Sequence, residues 1–356
     1  MSRYLITGGA GFIGSQLAYR LLKNGEEICL VDNFSYGRED NLQFADADLS
    51  PYVVRADIRD RDAMDRVFRE FKPEYVFNIA GIAPLPDCQS DPMEAESVNV
   101  GGFIHVLHFS RLYGVKSVVQ ASTNAMYENV TTFPTFENFE EEGIRNRNLD
   151  EVLPTLIYPS TKYCAEQFAR SFVKSYGMNV GCVRFANVYG PHVDCLRKQP
   201  PFVAYMVREL YYGRTPVFHS DGNQKRDYIY VDDLVNLLLK VSKQVNGFDA
   251  VNCATGLSYS VRELYNLAQT IMKKDIPAQY ADDAHYWRSY PALYEGAYPI
   301  KIDVLSHEIR KYTCCGIRHA FFEYGWQPET DIIEGMKKLI EAEVKLLKEK
   351  DAAETK

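Results

Sequence analysis

Short apolar runs and stretches of helical period take turns along the first half of the chain. Tyr4–Ile6 is a brief apolar strand that runs into a glycine turn. After the turn, Leu17, Ala18, Leu21 and Leu22 share one helical face until Asn24-Gly25 stops it. "ICLVD" (28–32) is apolar almost throughout, which suits a strand buried on both faces. "YVVRAD" (52–57), "EYVFNIAG" (74–81), "KSVVQAS" (116–122) and "NVGCVRFAN" (179–187) repeat that type, and helical stretches separate most of them. This alternation predicts an α/β fold, a doubly wound parallel sheet. Beyond about residue 187 the rhythm loosens. The later segments include "RDYIYVDDL" (226–234), a helix near 260–273, a tyrosine-rich stretch at 285–300, and a charged helix over about 331–350. The polar end, "KDAAETK", is expected to be disordered. The expected division is 1–186, together with about 226–253, for the sheet domain. A smaller, mixed α/β lobe takes 187–225 and 254–345, and 346–356 is a tail.

The chain has 356 residues, 46% of them hydrophobic, ample for a large core. A net charge of −8 with no long basic run argues against nucleic-acid and membrane-surface binding. No uncharged apolar stretch is long enough to span a bilayer, and no leader pattern opens the sequence. Eight scattered cysteines form no CxxC, and seven histidines show no HExxH spacing. The expectation is reduced thiols, no metal site and a cytoplasmic location.

"ITGGAGFIGS" (6–15) puts Gly8, Gly11 and Gly14 between a strand and a helix. Gly8 allows a tight turn, Gly11 lets the backbone approach a pyrophosphate, and Gly14 lets the helix pack on the strand. The helix N-terminus adds free N–H groups and positive potential. A turn without a ligand is the plain alternative. Asp32, at the end of the second strand, favours the nucleotide: an acid there accepts both ribose hydroxyls and repels a 2′-phosphate, so NAD is preferred to NADP. Asp57, after the third strand, either receives the adenine amino group or caps a turn.

"YPSTK" places Tyr158 and Lys162 four apart, on one face of a helix. A nearby ammonium and a cationic nicotinamide both favour the phenolate, which makes tyrosine a usable base near neutrality. In a chain with 25 tyrosines that spacing alone is weak. It gains weight because Ser122, Thr123 and Asn124 end an apolar strand, where ligands bind in open α/β sheets.

These stretches together resemble the NAD-dependent sugar-nucleotide epimerase/dehydratase family, extended short-chain dehydrogenase/reductases with a Rossmann domain. The marks are TGGAGFIG (7–14), VDNFSYGREDNL (31–42), RADIRD, NIAG (78–81), Asp91-Pro92, VNVGG, RFANVYGP (184–191), QKRDYIYVDD (224–233) and Gly325-Trp326. The resemblance implies NAD held by Gly8, Gly11, Phe12, Ile13, Gly14, Asp32, Asn33, Ser35, Asp57, Ile58, Ala80, Asn99 and Ser122, with Tyr158 and Lys162. It implies Thr123 as the catalytic hydroxyl, Tyr158 as the base and Lys162 as its partner. It also implies a nucleotide sugar, a UDP-sugar first, contacted by Thr123, Asn124, Asn187 and Arg226. Asn187 capping a turn, or Arg226 pairing with Asp227 or Asp232, are the structural alternatives. A homodimer is implied through helices around 97–113 and 158–176.

Within the family, 4,6-dehydratases usually carry Asp-Glu after the catalytic threonine, and decarboxylases keep the Glu. Here the two positions are Asn124 and Ala125. The pattern left resembles the 4-epimerases, in which tightly held NAD oxidises C4, the keto sugar turns over, and the hydride returns. Alternatives are a C4 dehydrogenase or reductase, a dehydratase recruiting another acid such as Glu128, or a binding protein without turnover. Departures from the pattern include Asn78 for a frequent histidine, Gly81 for alanine and Glu128 for glycine. The long 129–157 segment with "FEEEG" and the tyrosine-rich 285–319 region also depart. Thr313, thirteen before Trp326, is small where some relatives carry a bulky gate, so an N-acetyl sugar would fit.

Overall fold

The computed structural model describes residues 1–137, 154–197 and 200–354. At its centre seven parallel strands form one sheet: β1 (Arg3–Thr7), β2 (Glu27–Asp32), β3 (Val53–Arg55), β4 (Tyr75–Asn78), β5 (Ser117–Thr123), β6 (Val180–Phe185) and β7 (Phe248–Cys253). Their order is β7-β6-β5-β4-β1-β2-β3. Strand addition reverses between β1 and β4, and a crevice opens at the carboxyl ends of strands at such a point.

β5 and β6 are buried along their whole length, which suits their largely apolar sequences, and Gln120, Ser122, Thr123 and Arg184 are buried among the apolar residues. Alternate residues face opposite layers. Ile6, Phe77 and Val119 pack with Leu17 and Leu21 of α1 (Phe12–Lys23) and with Leu234, Leu238 and Val241 of α5 (Val231–Gln244). Leu5, Val76 and Val118 pack with Phe103, Val106 and Leu107 of α3 (Phe103–Leu112) and with Ala165 and Ala169 of α4 (Ile157–Tyr176). Between the sheet and the second region lies the short helix α2 (Leu85–Ser90).

The second region is mixed α/β. Strand 225–230 pairs with 187–189 and 258–260 in a small sheet, and 217–219 pairs with 279–281. The expected contribution of 226–253 to the main sheet is therefore divided. Residues 225–230 pair outside it, whereas α5 covers it and β7 joins its edge. Helices α6 (Ile302–Arg310) and α7 (Ile332–Glu354) complete this region.

The expected disorder of 346–356 is corrected as far as Glu354, because α7 continues to that residue. Leu347 is fully buried, and the hydroxyls of Tyr211 and Tyr212 donate to Asp351 at 2.9 and 2.8 Å. Contacts from distant residues hold a stretch whose local composition is that of a frayed end. "FEEEG" and the rest of 138–153 lie outside the described residues.

Candidate active site

The glycine turn is shaped by contact. Gly8 has φ +71°, and a β-carbon there would come 2.8 Å from the Ala80 nitrogen. A β-carbon on Gly14 would come 2.0 Å from the Gly8 carbonyl oxygen, so only glycine lets α1 begin against the turn. Gly11 caps α1 with no side-chain bond, and no acid stands in the first turn, with Phe12 and Ile13 opening the helix. The amides there can meet an anion without a competing carboxylate.

Asp32 sits where β2 ends. Its Oδ2 accepts from the Ala10 amide at 2.9 Å and its Oδ1 from the Phe34 amide at 2.7 Å. Burial raises its pKa, and the two amides oppose that. Asn33 accepts from both the amide and hydroxyl of Ser35 and donates to Asp57 at 2.8 Å. Asp57 accepts the Arg59 amide, as a turn cap does, and the Arg59 guanidinium; that guanidinium first of all holds its pKa down to about 2. Ile58 is buried, and its carbonyl faces His105. These residues fit a dinucleotide: a cradle that a β-carbon would fill, an open helix end, and an acid at the ribose position.

Asn99 lies in a π-helical turn (97–102) that leads into α3. Its amide bonds both backbone groups of Ile82 and the Thr161 hydroxyl, so it ties the loop after β4 to the catalytic helix. A β-carbon on Gly81 would come 3.1 Å from Lys162 Nζ. The departure from alanine there leaves room beside that ammonium.

A cavity of about 360 Å³ at the carboxyl ends of β5 and β6 is lined by Thr123, Asn124, Ala125, Tyr158, Lys162, Asn187 and Arg226, among others. Tyr158 and Lys162 share one face of α4, as their spacing predicts. The Tyr158 phenol lies beside the Thr123 side chain, which favours the phenolate and opposes the effect of burial. Lys162 is buried and donates to the Ala121 carbonyl at 3.0 Å. Burial pushes Tyr158 up to about 12 and Lys162 down to about 8. The lowering expected from an ammonium and a cationic nicotinamide together is not present in the coenzyme-free chain, where desolvation is the largest effect on Tyr158.

Three of the named residues are held differently from the simplest expectation. Ser122 lines the cavity, but its hydroxyl is engaged with Glu166, at 2.6 Å. Asn187 is exposed and donates to the Asp227 carbonyl at 3.0 Å, a bond to the neighbouring strand 225–230 and not a turn cap. Arg226 pairs with neither Asp227 nor Asp232. Its terminal nitrogens donate to the carbonyls of Glu308 (2.7 Å), Ile309 (3.1 Å) and Lys311 and so close the end of α6. Asn124 donates to Cys315 Sγ at 3.8 Å.

Sequence reasoning missed several groups. A buried chain runs from Thr7 to Asn78 (2.6 Å) to Gln120 (2.7 Å) to the Ala121 carbonyl (3.1 Å), the same carbonyl that holds Lys162. Asn78, flagged only as an odd replacement, is its middle link. Glu166 and Arg184 form a buried pair at 2.6 Å behind β5. Glu308 and Lys311 pair at 2.5 Å in the cavity wall. Glu128 is buried and accepts the amides of Thr155 and Leu156 just before α4. It anchors the catalytic helix and does not line the cavity. Apart from Glu308 and Lys311, which are three residues apart, these partners are distant in sequence and no local pattern announces them.

The model of the NAD dependent epimerase/dehydratase family matches residues 4–254. A UDP-glucose 4-epimerase of Mycolicibacterium smegmatis is 30% identical over 341 residues, 95% of this chain and 97% of that protein. The crystal structure of the Thermotoga maritima UDP-glucose 4-epimerase with UDP-glucose superposes with a TM-score of 0.82 at 30% identity, over 97% of this chain and 99% of that one. The Thermus thermophilus UDP-glucose 4-epimerase in complex with NAD gives 0.76 at 26% identity, over 96% and 98%. With its glycine cradle and its Thr123–Tyr158–Lys162 cavity, the chain belongs to the NAD-dependent epimerase/dehydratase family and is a nucleotide-sugar 4-epimerase that uses NAD.

Proposed function

We propose that the chain interconverts the C4 epimers of a UDP-hexose. One observation carries this reading. Glu308 is the only carboxylate among the described residues lining the catalytic cavity, and Lys311 holds it in an ion pair. Dehydration needs a free acid and base beside the hydride site. Asn124 and Ala125 supply neither, and the Glu128 carboxylate is engaged with backbone amides.

In this reading Tyr158 takes the proton of the C4 hydroxyl, and Thr123 orients that oxygen. Lys162 supplies the positive charge that favours the phenolate and touches the nicotinamide ribose. Bound NAD takes up the C4 hydride and later returns it. The keto sugar turns over in the cavity, and Tyr158 gives the proton back on the other face. Asp32, Asn33, Ser35, Asp57 and the glycine turn hold the coenzyme; Asn124, Asn187 and Arg226 face the substrate. The coenzyme belongs to 1–186 with the later sheet-covering segment, and the nucleotide sugar to 187–225 and 254–345.

A second cavity of about 680 Å³ supports uridine as the nucleoside. It shares Asn187, Arg197 and Arg226 with the catalytic one and adds Phe218, Tyr228, His219 and Gln224. His219 Nδ1 and Gln224 Oε1 are buried there without a partner. Burial lowers the His219 pKa, so the ring is neutral. Together they offer a uracil edge one donor and one acceptor. Arg197, which lines both cavities, suits a diphosphate, and Arg226 holds the adjoining wall through the end of α6.

We also place the enzyme in the cytoplasm as a homodimer. All eight cysteines are free, and no helix of the described residues is long and apolar enough to cross a membrane. Leu112 of α3 and Phe168 of α4 are 53% and 37% exposed on the neighbouring helices where the family pairs subunits. Light scattering that returns a monomer mass at micromolar concentration contradicts the dimer.

The substrate is tested with a panel of UDP-, GDP-, CDP- and dTDP-sugars in deuterated water, read by NMR. The expected product is a UDP-sugar inverted at C4 with no solvent deuterium. Deuterium at C5 with loss of the C6 hydroxyl means dehydration, and turnover only with another nucleotide overturns the uridine assignment.

A further inference from the structure

The tyrosine-rich stretch at 285–300 is the part of the chain that the reaction leaves unexplained. It has its own small core of Ala284, Trp287, Leu293 and Leu305, and Leu85 of α2 packs against it. This places the stretch as a built arm of the second region, seated on α2. Pro84 and Leu85, at the start of α2, line the catalytic cavity.

Asp87 lies one turn into α2 and meets both sides. Its Oδ1 accepts from the Tyr290 hydroxyl at 2.8 Å, and its Oδ2 from the Tyr36 hydroxyl at 2.7 Å. Tyr36 belongs to the loop that leads on from Asp32, the ribose position. A β-carbon on Gly37 of that loop would come 2.7 Å from Asp32 Oδ1. A cavity of about 400 Å³ lies between the parts and is lined by Tyr36, Gly37, Arg38, Pro84, Asp87 and Tyr290, among others. The same loop is held a second time by Arg38 to Asp194, at 2.8 Å.

We propose that Asp87 is a coenzyme-retaining residue: joined to Tyr36 and Tyr290, it fastens the loop beside the ribose position to the tyrosine-rich arm and closes the coenzyme groove. The proposal rests on the family's use of NAD and on the hydride-return reading. An epimerase must keep its reduced coenzyme while the keto sugar turns over, because escape at that moment strands both. A fastening made from the coenzyme loop on one side and the substrate-side arm on the other meets that need. Each bond runs from a neutral hydroxyl to a carboxylate, the stronger class of hydrogen bond. Burial raises the pKa of both tyrosines, with Asp87 adding to it, so both stay donors through the neutral range.

The test times the departure of NADH from the holoenzyme. Bound coenzyme is reduced chemically, excess NAD is added, and the loss of bound-NADH fluorescence is timed with no sugar nucleotide present. Tyr290→Phe and Tyr36→Phe each remove one hydroxyl and should each speed release about tenfold. The double variant should release no faster than either single one, since one broken bond already opens the fastening. Tyr298→Phe, on the same arm but 95% exposed, should release like the wild type. Single variants within about twofold of the wild type, or a double variant equal to the product of the singles, overturn the proposal. If Tyr290→Phe fails to fold, the 47% exposed Tyr36 carries the test through Tyr36→Phe alone. Release is read without turnover. A wild type that retains NADH but epimerises nothing refutes the function proposed above, whereas unchanged release in the variants refutes only this inference.

Discussion

Lys162 donates to the main-chain carbonyl of Ala121 at 3.0 Å, and that carbonyl also receives Gln120 Nε2 at 3.1 Å. Through Gln120, Asn78 and Thr7 this buried lysine is joined to the residue that opens the glycine turn. One buried chain of hydrogen bonds across β1, β4 and β5 thus links Lys162 of α4 to the glycine turn. Such a chain is rigid when every member is satisfied, and the Ala121 carbonyl keeps the Gln120 amide as donor even without Lys162.

Burying an ammonium on so few partners costs stability in the coenzyme-free protein. Lys162 is pushed down to about 8 from 10.5. Between those values the unfolded chain binds more protons than the folded one, so stability rises as pH rises through that window. We expect Lys162→Met to stabilise the coenzyme-free protein at pH 7 by about 1–3 kcal/mol, with the advantage shrinking towards pH 10. Urea melts of stripped protein at pH 7 and 9.5 check this; a variant less stable at pH 7 contradicts it.

In the proposed reaction Tyr158→Phe removes the proton acceptor and leaves the glycine cradle untouched. Turnover should fall by about 10²–10⁴ while NAD still copurifies. The measurement pairs an NMR epimerisation assay with the coenzyme released on denaturation. Near-normal turnover excludes Tyr158 as the base.

Glu166 and Arg184 are about 1% and 2% exposed, and their pair at 2.6 Å also fixes the Ser122 hydroxyl. Glu166→Ala leaves a buried guanidinium without its carboxylate and should cost about 3–5 kcal/mol. Glu166→Gln keeps an acceptor for Ser122 and should cost less. Equal melting of Glu166→Ala and the wild type would show that the pair contributes nothing to stability.

Thr313 lines the catalytic cavity, and its hydroxyl accepts the Asp227 amide at 3.2 Å. A small residue there leaves width for an acetamido group. Thr313→Tyr should lower kcat/KM for a UDP-N-acetylhexosamine at least about tenfold, while the plain UDP-hexose changes less. Equal losses on both substrates would mean that the residue does not set the width of the site.

Much of this protein was legible along the chain because the physics is local. Largely apolar runs at β2, β5 and β6 pointed to strands buried on both faces. The close approach of Gly14 to Gly8, and the helical face shared by Tyr158 and Lys162, follow from spacings of six and four residues. Asn124 and Ala125 stand where dehydratases of the family carry an acid pair, and their side chains cannot act as that pair. Tertiary structure decided the rest. It turned Ser122 towards Glu166, set Arg226 on the end of α6, anchored α4 with Glu128, and brought Tyr36 and Tyr290 to Asp87. It also carried α7 to Glu354 through Leu347 and Asp351. A polar side chain's partner is chosen by which desolvated groups the packed chain brings within about 3 Å, and a buried group must find one. That choice depends on contacts between residues far apart in sequence, whereas period, turn geometry and functional-group chemistry are set within a few residues.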